Sequence, residues 1–383
     1  MSALMAERVR SDVDVLSRAG LGLEEFLTEA SESVRRAVPW VGACIGTHDP
    51  ATRILSGARK YGDLDGRNEQ DLLFAEIEYG SDEETTVRRL HASGRPAISM
   101  RQETGGEIER SVRMARLMRP YFGYADEARL VFTEGESFWG AMSVFRGPED
   151  AAFSPAEIAL LGSLSGAFAR GVRAGILAQL PSALGGAPPA GTAGDGPAVI
   201  VVDARGEIVQ LTPGAQARLD RLNDAPHAGD PMSVIGSLVG SARRFARGEI
   251  DTPPRVRVRA ADGGWLVAHA SPLSSTEAGG DAGQVVITIE EARPPEVVDL
   301  IVAAFDLTAR EREITRLVIQ GADTKEIAAT LFVSPFTVQD HLKSVFDKAG
   351  VRSRRELVAR IYFDQYAPRM GAQLGPSGWF VGA

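Results

Sequence analysis

The residues best placed for chemistry lie near the C-terminus, in the segment Pro335-Phe-Thr-Val-Gln-Asp-His-Leu-Lys-Ser-Val-Phe-Asp-Lys-Ala349. Val338, Leu342, Val345 and Ala349 recur at helical spacing and form one apolar stripe. Thr337, Gln339, Asp340, Lys343, Ser344 and Asp347 fall on the opposite side. Side chains of these types hydrogen-bond base edges when a helix enters the major groove by its N-terminal turns. Gln339 can pair bidentately with adenine, Asp340 can accept from cytosine, and Lys343 can reach guanine or phosphate. Asp340 could equally repel phosphates at wrong sites, and His341 suits packing or a local hydrogen bond as well as it suits reading. Thr324, Lys325, Ser334, Thr337 and Arg354 stand near helix N-termini, where hydroxyls, amides and cationic tips hold phosphates. A solvated helix face carries the same residue types, so the pattern alone leaves both readings open.

Helix-start signals position these residues. Thr308-Ala-Arg-Glu311 and Asp323-Thr-Lys-Glu326 have the spacing of capping boxes, Ser334-Pro335 opens the third helix, and Ser353-Arg-Arg-Glu356 opens a fourth. Ile314, Leu317 and Val318 face inward on the first helix, Ile327, Ala328 and Leu331 on the second, and Leu357, Val358 and Ile361 on the fourth. About three residues separate the second and third helices, the geometry of a helix-turn-helix.

Leu307-Thr-Ala-Arg-Glu-Arg-Glu313, Gly321, Lys325-Glu-Ile-Ala328, Thr337-Val338, His341-Leu342, Lys348-Ala-Gly-Val351 and Arg354-Arg-Glu-Leu-Val358 resemble the LuxR-type DNA-binding domain. The resemblance implies an all-α four-helix module over 306–366 that binds double-stranded DNA. It also implies that the fourth helix, at Glu356–Ile361, serves dimerisation. That family often has lysine where Gln339 stands, which implies different base reading and less phosphate attraction here.

The rest of the chain bounds the alternatives. Its 383 residues exceed one ordinary domain. With 44% apolar and 24% charged residues, the composition is globular and excludes wholesale disorder. The net charge is −9, yet Asp306 to Tyr366 holds ten Lys/Arg against nine Asp/Glu, leaving −10 for the remainder. Contact with a polyanion is therefore expected only in that module. The single cysteine, Cys44, excludes an internal disulfide and a cysteine-cluster zinc site. No apolar run reaches the roughly 18 residues of a membrane helix, and the first residues lack a signal-peptide pattern. A soluble, cytoplasmic protein is expected, with no internal repeat at a fixed period.

Two further segments are α+β in pattern. Leu23, Phe26, Leu27, Ala30 and Val34 mark a helix ending near Pro39. Val41–Thr47 and Ile54-Leu55 flank an Asp49-Pro-Ala-Thr turn, and Glu127–Phe132 and Phe138–Phe145 flank Thr133-Glu-Gly-Glu-Ser. Ser154-Pro155-Ala-Glu157 opens a closing helix expected to run to about Leu180. Later, Ala198–Val209 reads as a hairpin, Thr212-Pro-Gly-Ala as a helix start, and Val256–Arg259, Trp265–Ala270 and Gln284–Ile289 as strands.

Val38-Pro39-Trp40, Asp49-Pro-Ala-Thr, Phe138-Trp-Gly-Ala and Phe153-Ser-Pro-Ala-Glu resemble GAF domains of actinobacterial multidomain regulators. The later segment is similar to a PAS domain, with Thr212 where many have asparagine and with an unusually short helical middle. The implied organisation is a GAF-like sensory domain at 1–180, a Gly/Pro/Ala-rich linker at 181–197, and a PAS-like domain at 198–292. A connector at 293–305, the helix-turn-helix module at 306–366 and a tail at 367–383 follow.

The GAF resemblance implies a ligand pocket among Trp40, Cys44, Tyr61, Phe74, Tyr79 and Trp139, though several of these suit an ordinary core. Cys44 reads as a buried inert thiol rather than a redox sensor or haem ligand. His48 and His91 have no spaced metal-binding partners. Asp203 lacks the acidic pair of a phosphoacceptor site, and Gly162-Ser-Leu-Ser-Gly166 lacks the context of a hydrolase elbow. No P-loop, dinucleotide fingerprint or metalloprotease motif is present.

The expectation is a DNA-binding transcriptional regulator without enzymatic activity or cofactor. Its candidate partners are double-stranded DNA, a second copy of the chain, a small-molecule effector and RNA polymerase. The competing expectation is an adaptor that uses the helix-turn-helix mainly to dimerise.

Overall fold

The computed structural model describes residues 2–178, 198–223, 229–261, 263–273 and 283–362. The expected linker at 181–197 and the tail at 367–383 lie outside the described residues. Among those described, residues 2–178 and 198–291 make one compact unit, and 292–362 make another.

The first unit opens with α1 (Ala3–Arg18) and α2 (Leu23–Ala37). The strands β1 (Gly42–His48) and β2 (Leu55–Gly62) then form the expected hairpin. Next come α3 (Asp71–Gly80), α4 (Val87–Ala92), β3 (Ala97–Ser99), α5 (Met100–Glu103) and a π-helical turn at Met114–Met118 that runs into α6 (Arg119–Phe122). A long hairpin of β4 (Asp126–Glu134) and β5 (Ser137–Arg146) completes an antiparallel sheet of order β2-β1-β5-β4-β3. The closing segment is two helices, α7 (Pro155–Ser163) and α8 (Ser165–Ala178), so the expected single helix breaks at Leu164. The Ser154–Glu157 capping box starts α7. Helices α1, α2 and α8 pack together, and α8 lies on β4. Phe168 stacks on Phe132 at 4.7 Å and meets Phe26 edge-on at 5.8 Å. Gly171 gives Phe26 its space, since a Cβ there would lie 2.0 Å from the ring.

The unit continues with β6 (Ala198–Val202), β7 (Ile208–Leu211), α9 (Pro213–Asn223), α10 (Pro231–Ala246), β8 (Arg255–Arg259), β9 (Trp265–Pro272) and β10 (Val285–Glu291). Their sheet has the order β7-β6-β10-β9-β8, the same antiparallel arrangement as the first. The 16 residues of α10 correct the expectation of a short helical middle. Its small residues permit close approach to α3: a Cβ on Gly240 would stand 2.8 Å from Gly80 N, and one on Gly236 would stand 2.6 Å from Ala75 Cβ. The two sheet-bearing halves are also joined by charge. Asp49, 3% exposed, accepts from the backbone N–H and Nε of Arg257, which is itself 2% exposed.

The second unit contains α11 (Pro294–Ala304), α12 (Ala309–Ile319), α13 (Thr324–Leu331), α14 (Pro335–Ala349) and α15 (Arg354–Tyr362). The segment expected as a connector thus carries α11, which packs on α15 through a core that includes Leu300, Ile301 and Leu357. No described helix is long and apolar enough to cross a membrane.

Candidate nucleic-acid interface

The helix-turn-helix is built from local signals. Asp323 caps α13 by accepting from the N–H groups of Lys325 (2.7 Å) and Glu326 (2.9 Å). Phe332 ends that helix in the left-handed region, φ 54°, and Val333 N–H closes the turn on Ala328 O at 3.0 Å. Ser334 Oγ then accepts from Thr337 N–H at 3.0 Å and starts α14. Val338, Leu342, Val345 and Ala349 are all buried, as their spacing predicts. Gln339, Asp340, Lys343 and Asp347 remain exposed along the other side.

Ser344 departs from the expected exposed face. Its hydroxyl donates to Glu311 Oε1 at 2.6 Å, while Lys348 Nζ donates to Glu311 Oε2 at 2.7 Å. Thr308 N–H donates to the same carboxylate, closing the capping box of α12. Burial alone would raise the Glu311 carboxyl, but these donors outweigh it and hold it down at about 2. Sequence reasoning identified Glu311 as a cap and missed its link to α14, since nothing local marks a partner 37 residues away.

The expected phosphate-facing residues gather around the helix starts. Thr324 is the first residue of α13, and Lys325 follows it, exposed. Arg354 donates to Ala322 O and to Thr324 Oγ1 (3.4 Å), so its guanidinium braces the turn before α13. Thr337 Oγ1 and Ser334 Oγ lie 2.9 Å apart at the start of α14. On α15, Leu357 and Ile361 are buried within their own unit, leaving Glu356 exposed on the segment expected to dimerise.

The first unit holds a separate buried site. A cavity of about 30 Å³ is lined by Cys44, Gly46 and His48 of β1, Phe74, Glu78 and Tyr79 of α3, and Arg113, Arg129 and Ser143, among others. That volume accommodates roughly one or two waters. Of the pocket candidates, Cys44, Phe74 and Tyr79 line this cavity, and Trp40, Tyr61 and Trp139 do not. Trp40 lies under the Arg35 guanidinium at 4.4 Å, and Trp139 is core.

Beside the cavity, four buried charges balance. Arg113 Nε donates to both Glu127 oxygens (3.0 and 2.9 Å), and Arg129 Nη2 donates to Glu78 Oε2 at 2.7 Å. Arg113 Nη1, with no hydrogen-bond partner, is 3.5 Å from Glu78 Oε2. His48 Nε2 lies 2.8 Å from the Tyr79 hydroxyl, and burial pushes the imidazole down to about 4, hence neutral at pH 7. Burial likewise pushes the Cys44 thiol up to about 11, which keeps it protonated at pH 7 and slow to react. No group of three or more metal-binding side chains occurs among the described residues. These cavity residues come from five separated stretches, and no motif spacing unites them.

Comparison with known proteins bears on the helical unit. Residues 306–361 match the family of bacterial regulatory proteins, luxR family. The chain is 44% identical over 55 residues to the spore germination protein GerE of Bacillus subtilis, covering 14% of this chain and 74% of GerE. It is 54% identical over 52 residues to a putative HTH-type transcriptional regulator of Mycobacterium tuberculosis, covering 14% of this chain but only 6% of that longer relative. Among solved structures, a phage VqmA–DPO complex aligns over 45% of this chain and 83% of its own, with 15% identity and a TM-score of 0.24.

Proposed function

Because the chain belongs, through residues 306–361, to the luxR family of bacterial regulatory proteins, we propose that it is a sequence-specific DNA-binding transcriptional regulator. The observation that carries this reading is α14. Its apolar stripe is buried, and it leaves Gln339, Asp340 and Lys343 exposed after a capped start. In this reading those three residues contact base edges. Thr324, Lys325, Ser334, Thr337 and Arg354 hold phosphates, through backbone N–H groups where their hydroxyls are engaged in caps.

The two-sheet unit, GAF-like and then PAS-like, senses a small molecule or mediates dimerisation. It controls DNA binding by favouring one presentation of two helix-turn-helix modules. The buried cavity on α3 is the candidate effector site. Its small volume requires that α3 or its neighbours yield when an effector enters.

The near-neutral charge of residues 306–366 favours the adaptor reading in one respect, since phosphate attraction is weak. Recovery of genomic fragments by the full-length protein at two salt concentrations separates the two. A short palindrome enriched even at the higher salt supports a dimeric regulator. Uniform recovery that vanishes with salt, or none, rejects it.

A further inference from the structure

Phe336 is 72% exposed, although phenylalanine is a residue that water disfavours. It is the second residue of α14, in the turn that leads a recognition helix into the major groove. At 100° per residue, Phe336, Asp340, Lys343 and Asp347 lie within about 60° of one another. They are opposite the stripe of Val338, Leu342, Val345 and Ala349, and all four are exposed. Phe336 therefore occupies the middle of the face assigned to base reading.

We propose that Phe336 contacts the C5-methyl group of a thymine in the operator and thereby sets sequence preference. The inference rests on the DNA-binding reading and adds a residue to it. The thymine methyl is the apolar feature of the major-groove edges, and phenylalanine is a side chain suited to it. The composition of the surrounding face argues against a protein partner. On α14 its other exposed members, Gln339, Asp340, Lys343 and Asp347, are hydrogen-bonding or charged, and the exposed Phe332 stands in the turn before the helix rather than on this face, whereas a protein-docking surface presents contiguous apolar area. The face is also nearly neutral, so apolar contact and hydrogen bonds, rather than bulk phosphate attraction, must supply discrimination there.

The test uses the full-length protein to select duplexes from a random pool. The enriched site is then synthesised with each thymine in turn replaced by deoxyuridine, which lacks only the methyl group. One substitution in each half-site is expected to weaken wild-type binding about fourfold, the effect of losing one buried methyl-sized group. Phe336→Ala is expected to bind the thymine site more weakly by a similar factor and to be indifferent to uracil at that position. Circular dichroism of this variant should match the wild type, because the ring is exposed. Equal wild-type affinity for thymine and uracil at every position, or a Phe336→Ala variant that still discriminates, overturns the methyl contact and leaves DNA binding intact. Failure to enrich any site overturns the DNA-binding reading and this contact with it.

Discussion

Lys348 Nζ on α14 donates to the Glu311 carboxylate on α12 across 2.7 Å, and the same carboxylate accepts from Ser344 and from the Thr308 N–H. One side chain thus begins α12 and fixes the back of the helix proposed to read DNA. Glu311→Ala is expected to destabilise the helical unit by about 2 kcal/mol, combining a lost cap with two orphaned donors. The carboxyl sits at about 2 against an ordinary 4.5, so its contribution is complete above pH 4.5 and is lost as pH falls towards 2. Urea unfolding of the wild type and the variant at pH 7 measures the effect. Coincident midpoints would remove Glu311 from this role.

Substitution of Gln339 and Lys343 together by alanine distinguishes a DNA reader from an adaptor. Both side chains are exposed, so folding should be unaffected. A reader loses about 2–6 kcal/mol of specific binding, since each good bidentate base contact supplies about 1–3 kcal/mol. An adaptor keeps its partner at unchanged affinity. Fluorescence anisotropy on the enriched site, with gel filtration for self-association, reads both.

The buried imidazole makes the first unit sensitive to acid. His48 sits at about 4 when folded, against an ordinary 6.5. The unfolded chain therefore takes up its proton first, and stability is fully present above pH 6.5 and lost as pH falls towards 4. The loss is on the order of 3 kcal/mol. His48→Gln can keep a hydrogen bond to Tyr79 but does not titrate. The difference between wild type and variant in unfolding free energy should shift over that window and be constant above it; a flat difference down to pH 4 would show that His48 is not buried as a neutral ring.

The features legible in the sequence are those set by near neighbours. The stripe of α14 and the caps at Thr308, Asp323 and Ser334 all depend on residues within a few positions, and all three capping contacts form. Arg257 was not legible: Val256-Arg-Val-Arg alternates as if its arginines faced water, yet Arg257 is buried against Asp49, 208 residues away. Helix α11 was not legible within the expected connector at 293–305, because proline both interrupts a strand region and opens a helix. The common strand order of the two sheets left no trace either. Topology is conserved by pairing geometry, which sequences without a shared period can satisfy.

Helix α10 escaped notice because Ser233, Gly236, Ser237, Gly240 and Ser241 dilute its helical character, and the structure supplies the reason for them. Gly240→Ala adds a Cβ 2.8 Å from Gly80 N and 3.0 Å from Tyr79 C, both backbone atoms that cannot swing aside. The alanine gains helix propensity of up to about 1 kcal/mol, but overpacking costs about 1–3 kcal/mol. Net destabilisation is expected. Gly166→Ala, the same chemical change on α8 with nothing within 4 Å, should be neutral or stabilising. Thermal unfolding of the two variants isolates the packing contribution. A second readout follows from α3, which carries both the α10 contact and Phe74, Glu78 and Tyr79 of the cavity wall. Displacing α3 opens that wall, so Cys44 in Gly240→Ala should react faster with a thiol reagent than in the wild type or in Gly166→Ala. Equal rates in all three would mean that α3 does not couple the cavity to the second sheet.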